Sequence, residues 1–158
     1  MLWPKRIVCA LALFLGISSF GDVEPILKRY QTLTSNLAAD KYKETSLLAG
    51  QLPRILEIWL EDENLQGQPL AWAKKMQSGA EAMGKTTTPE KLREYYGEVS
   101  EGALHLTKGS PLETNWQLYY CPMVKNYWAQ PKTEKMANPY MGLKMLLCGS
   151  KKAWAVLP

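Results

Sequence analysis

Two cysteines and four methionines gather in the last quarter of this 158-residue chain: Cys121, Met123, Met136, Met141, Met145 and Cys148. Thiolate and thioether sulfur are soft donors that favour monovalent copper or silver over hard cations such as calcium or magnesium. Reduced, the Cys121 and Cys148 thiolates with Met123 and Met145 would offer a low-coordinate site for Cu(I) or Ag(I), and Met141 adds an optional thioether. Oxidised, a Cys121–Cys148 disulfide would close a loop of about 27 residues and stabilise the fold by roughly 3 kcal/mol in the chain-entropy model. The two states exclude each other, because a disulfide sulfur is a poor ligand. A third version survives oxidation, with weak binding through Met123, Met141 and Met145 alone. Met76 and Met83 stand at helical spacing and read as core filler.

Other chemistry is sparse. His105 is the single histidine and stands near the C-terminal end of a helical stretch, where the dipole favours a cation; it is a weaker candidate fifth ligand. A structural zinc site needs four Cys or His ligands, and only three such residues outlast the N-terminus. A cysteine nucleophile would need an activating histidine and an orienting third group, and none is marked. The acid pairs Glu57–Glu61 and Asp62–Glu63 suit a solvated helix face better than a glycosidase pair. There is no glycine-rich phosphate loop. The expectation is a protein that is not an enzyme.

The ends and the charge bound the setting. Lys5-Arg6, an apolar run from Ile7 to Leu15 and small residues up to Gly21 have the layout of a secretory signal peptide over residues 1–21, with a mature start at Asp22. The run is too short to span a bilayer, so no membrane span is expected after cleavage, with an uncleaved anchor as the minor alternative. Cys9 would leave with the peptide. Removing Lys5 and Arg6 and no acid lowers the net charge from +4 to +2, and the lysine surplus at Lys125, Lys132 and Lys135 reads as a solvated face. Neither nucleic acid nor membrane lipid is therefore an expected partner. Residues 22–158 have the size of one domain, placed in the periplasm or outside the cell, where paired cysteines can be oxidised.

The elements that must position the sulfur read as helices. Val23, Ile26, Leu27, Tyr30, Leu33 and Leu37 form one amphipathic stripe, interrupted at Asp40-Lys41. A second stripe runs from Tyr42 to Trp59, with Pro53 predicting a kink or break just before it. Asn64 to Pro69 reads as a loop. Leu70, Ala73, Met76, Ala80 and Met83 mark a third helix, and Leu92 to Leu106 a fourth, capped by Thr88 with Pro89 at its first position. Trp116 to Cys121 has extended character, as a short strand or a strap. Pro122 to Asn138 is loop-like, and Tyr140 to Leu147 reads as a short helix, with Asn138 as its cap and Gly149 as its stop. The expected class is all-α: a four-helix bundle with a C-terminal extended strap and short helix. Tyr119, Tyr120, Tyr127, Trp128 and Tyr140 are read as packing over the strap, with a docking surface as the functional version.

The series Cys121-Pro122-Met123, Trp128, Asn138-Pro139-Tyr140, Gly142, Met145-Leu146 and Cys148-Gly149 resembles the domain of unknown function 3347 family. That family comprises exported proteins and the C-terminal domain of heavy-metal efflux periplasmic adaptors of the copper and silver type. The similarity runs from about Asp22 to Gly149, with Tyr30 to Leu37, Leu47-Leu48 and Arg93, Tyr96 and Ser100 as its weaker upstream part. It departs at Met141, where an aromatic is common. It departs again at Lys125-Asn126, where acidic and glycine residues are usual, and in the tail beyond Gly149. The resemblance implies an exported, mainly helical domain associated with metal resistance, with heavy-metal efflux components as partners. The alternative from another class is a structural or protein-docking module braced by the disulfide.

Overall fold

The computed structural model describes residues 23–157, so the expected signal peptide lies outside the described residues. Five helices come first: α1 (Glu24–Ala38), α2 (Tyr42–Ala49), α3 (Leu52–Glu63), α4 (Gly67–Met83) and α5 (Pro89–Thr107). The expected second helix is broken at Gly50-Gln51 into α2 and α3, and Pro53 takes an early position in α3, where its missing N–H costs nothing. The loop after α3 is shorter than expected, because α4 already begins at Gly67. Thr88 holds the N-cap position of α5, but its side chain makes no capping bond; its carbonyl accepts from the Leu92 amide. None of these helices is long and apolar enough to cross a membrane.

The all-α expectation is corrected by the last third. The chain is mostly helical, but β1 (Trp116–Cys121), β2 (Asn126–Pro131) and β3 (Ser150–Lys152) form an antiparallel sheet in the order β2-β1-β3. The strap is thus a central strand, paired from Trp116 with Pro131 to Cys121 with Asn126 on one side. On its other edge Tyr120 pairs with Ser150 and Leu118 with Lys152. The stretch read as loop contains β2. The stretch read as a short α-helix holds only a single 3-10 turn, Gly142–Met145.

One core joins helices and sheet, from Val23 to Leu157. α4 and α5 pack most closely, because glycines let their backbones approach: a Cβ at Gly102 would come within 2.6 Å of the Trp72 carbonyl. The sheet is fastened to α1 and α5 by a buried polar chain. Ser100 donates to the Tyr127 carbonyl at 2.9 Å, which leaves its oxygen to accept from the Tyr30 hydroxyl at 2.9 Å. Tyr30 in turn accepts from the Ala129 amide at 3.0 Å. Thr34 spends its proton on the Tyr30 carbonyl, so Tyr96 donates to Thr34 at 2.6 Å. Burial, partly offset by these bonds, raises the Tyr30 pKa. Tyr30→Phe would strand the Ala129 N–H inside the core, and is expected to lower stability by about 1–3 kcal/mol in a denaturant titration. A loss under about 0.5 kcal/mol would mean that the hydroxyl carries no net load.

Candidate functional site

The sheet decides where the sulfur goes. Cys121 ends β1 and is fully buried, whereas Cys148 is half-buried, and both are free thiols. Continuing the β1–β3 register one step past Tyr120–Ser150 sets Cys121 against Gly149. Cys148 is then one residue beyond the position that faces Cys121. Met123 follows Cys121 into the β1–β2 turn, where it is 61% exposed. Met145 is 36% exposed, and its carbonyl accepts from the Cys148 amide at 3.0 Å. Cys121 and Met123 thus lie at the β1–β2 end of the sheet, and Met145 and Cys148 lie in the loop that enters β3 at that same end. Met141 and Met145 do not share a helical face as expected, because the turn between them is 3-10 and eclipses residues three apart. Met141 packs instead against the core, as does Met136.

The remaining motif residues build the frame around that end. Asn138 is fully buried and closes the 138–148 loop. Its side-chain oxygen accepts from the Tyr140 and Met141 amides at 2.8 and 3.2 Å. Its amide donates to the Leu146 carbonyl, and its side-chain nitrogen donates to the Cys148 carbonyl. The expected cap is thus made, though on a turn rather than a helix. The Pro139 carbonyl accepts from Arg93 at 3.2 Å. Tyr140 donates to the Tyr127 carbonyl at 2.7 Å and stacks edge-on against Tyr96 and Trp128. Burial, with neighbouring ionisable groups adding to it, holds the Tyr140 hydroxyl far above its usual range. Trp128 is fully buried, lies over Tyr119 at 5.2 Å and donates to Gln130 at 3.2 Å. Gly149 packs on the Trp128 ring with no room for a side chain. Gly142 has φ +58° and faces Asp40 and Arg93, where a Cβ would overlap both. Pro122 is exposed in the β1–β2 turn beside Lys125, whose φ of 56° is the left-handed value that glycine favours.

Sequence reasoning missed Asp40 and Tyr42, and saw Arg93 only through the resemblance. Asp40 sits in the α1–α2 turn at φ 58°. Arg93 on α5 reaches its carboxylate at 2.5 Å, the Tyr42 hydroxyl at 3.1 Å and the Leu37 carbonyl at 3.4 Å. Asp40 also accepts from Tyr42 at 2.8 Å and from the Leu143 amide at 3.3 Å. Partial burial works against its charge, but the bonds from Tyr42 and Arg93, the Leu143 amide and the guanidinium charge prevail. The Asp40 pKa therefore lies below its ordinary value.

His105 belongs to a separate place. It stacks on Trp72 with ring centres 3.8 Å apart and borders a cleft of about 160 Å³ lined also by Glu101, Asn126, Tyr127 and Tyr140. Burial lowers its pKa, and the pull of Glu101 does not overcome burial and the nearby Lys108 and Lys75. His105 stands in the last turn of α5, the helix-end position expected of it, and its surroundings favour the neutral imidazole. Among the described residues no three His, Cys, Asp or Glu side chains cluster as a harder metal would require.

Comparison of the chain with protein-family models, curated proteins and solved structures returns no match.

Proposed function

We propose that this chain is an exported, non-catalytic soft-metal-binding or metal-resistance accessory protein that takes Cu(I) or Ag(I) in the periplasm and works alongside heavy-metal efflux components. The observation that carries the reading is the pair of free thiols, Cys121 at the end of β1 and Cys148 two residues before β3, with Met123 in the turn that follows Cys121 and Met145 in the loop that leads to Cys148. All-sulfur donors fit a soft monovalent ion. Cys121 and Cys148 would be the anionic ligands and Met123 and Met145 the neutral ones, with Met141 left to the core. The resemblance of the 121–149 motif supports the same association, and its other residues act as a frame that fixes the two sulfur-bearing turns. In this reading the helices form a four-helix bundle in which α2 and α3 together make one interrupted member.

The test is a Cu(I) titration of the exported protein, with and without prior reduction, beside a free-thiol count. Two titratable thiols and tight binding after reduction are expected. Cys148→Ser should then weaken binding by at least about 100-fold, more than an outer-shell change typically costs. The rival reading is a docking module braced by a Cys121–Cys148 disulfide, and its support is that the antiparallel β1–β3 pairing brings the two segments that carry the cysteines to one end of the sheet. It predicts no free thiols and no binding in either state. Binding that persists without thiols and vanishes in the Met123, Met141 and Met145 to leucine triple variant would assign the ion to thioethers alone.

A further inference from the structure

The charge of this chain is divided by the fold. From Trp116 onward the sequence holds six lysines, no arginine and one acid, Glu134, whose carboxylate accepts from Gln31 on α1. The sheet assembles part of this surplus with apolar side chains that have no cover among the described residues. At its sulfur-bearing end the β1–β2 turn presents Met123, Val124 and Lys125, and the loop that Asn138 closes presents Leu143, Lys144 and Leu147, all exposed. Leu147 is 70% exposed. Lys151 stands exposed on the short edge strand β3, next to the same loop.

We propose that this end of the sheet seats on an anionic lipid bilayer, with the two turns entering the headgroup region and the lysines meeting lipid phosphates. The apolar residues sit at the tips of turns, a shape that enters a soft interface more readily than it builds a flat contact. Their cations are all lysine, which a delocalised negative surface attracts without bidentate geometry. Protein interfaces are instead enriched in arginine and aromatic residues and depleted in lysine. Lysine stems can lie along the apolar boundary while their ammonium groups stay hydrated. The proposal does not depend on metal binding, and metal-free protein tests it.

Reduced, metal-free exported protein is sedimented with vesicles of phosphatidylcholine alone and of phosphatidylcholine mixed with phosphatidylglycerol, over a range of salt. Salt-sensitive binding to the anionic vesicles and none to the neutral ones is expected. Lys125→Gln, Lys144→Gln and Lys151→Gln should each weaken it about fivefold. Leu147→Ser, at a position too exposed to hold the fold, should weaken it roughly tenfold. Soluble polyglutamate provides the comparison for an acidic protein partner. Absence of binding to anionic vesicles overturns the proposal. So does polyglutamate binding of equal strength that Leu147→Ser leaves unchanged, which would assign the face to an acidic protein.

Discussion

Trp128→Ala is expected to destabilise the protein by about 4 kcal/mol, the largest loss from any single truncation in the sheet. The indole is fully buried, stacked over Tyr119, edge-on to Tyr140 and covered by Gly149. Removing it opens a cavity between Tyr119, Tyr140 and Gly149, and it forfeits aromatic contacts worth about 0.5–1.5 kcal/mol beyond burial alone. It also leaves the Gln130 side chain without one donor, though Gln130 still accepts from the Ala137 amide at 3.1 Å. For a domain of this size the melting temperature should fall by about 15 °C in a near-ultraviolet circular dichroism melt. Trp128→Phe keeps most of the stack and should cost less than half as much. A loss under about 1 kcal/mol for the alanine variant would refute the view that Trp128 carries the sheet's packing.

Arg93→Ala is the second large effect, about 3 kcal/mol. Breaking a buried ion pair from one side typically costs about 3–5 kcal/mol, and the lower end applies because the Arg93 and Asp40 side chains keep 17% and 30% of their exposure. The guanidinium serves four acceptors on three separate segments: Asp40 and Leu37 near the α1–α2 turn, Tyr42 on α2 and Pro139 in the motif loop. Lysine cannot reproduce that fork, so Arg93→Lys should recover little of the loss. The same pair sets an acid limit. The folded Asp40 pKa is depressed from 3.8, so its contribution is complete above that unfolded value and is lost as pH falls through the lower folded one. Stability measured from pH 5 downward should fall less steeply in Arg93→Ala than in the parent. Equal slopes would remove Asp40 from the account of acid unfolding.

The helices were legible because their signals are local. Three-and-four spacing marks α1 and α5, and Pro53 marks the break between α2 and α3. The sheet was half hidden. Trp116 to Cys121 reads as extended, but β3 is Ser-Lys-Lys, with no apolar alternation, and exists only because β1 offers it an edge. β2 is masked by Pro131 and by the turn residues before it. The candidate site shows the same division. The sulfur residues are visible from type and spacing, whereas the β1–β3 pairing that brings their two segments to one end of the sheet is a tertiary event. Asp40 and Arg93 lie 53 residues apart, and nothing local tells a partnered arginine from a solvated one. Helical spacing misled at Met141 and Met145, where Gly142 in a left-handed conformation replaces an α-turn by a 3-10 one.

The Tyr30 hydroxyl accepts a hydrogen bond from a backbone amide 99 residues further along the chain. A polypeptide delivered from its N-terminus presents α1 through α5 well before residues 126–131 arrive, so the hydroxyl-lined flank of that early helical assembly stays wet until the last third joins it. Maturation should therefore proceed in two stages. Amides of α4 and α5, whose contacts are close in sequence, gain protection from hydrogen exchange first, and those of β2 gain it with the closing of the sheet. The sulfur-bearing turns are completed in the second stage, so a nascent chain acquires its thiol geometry last.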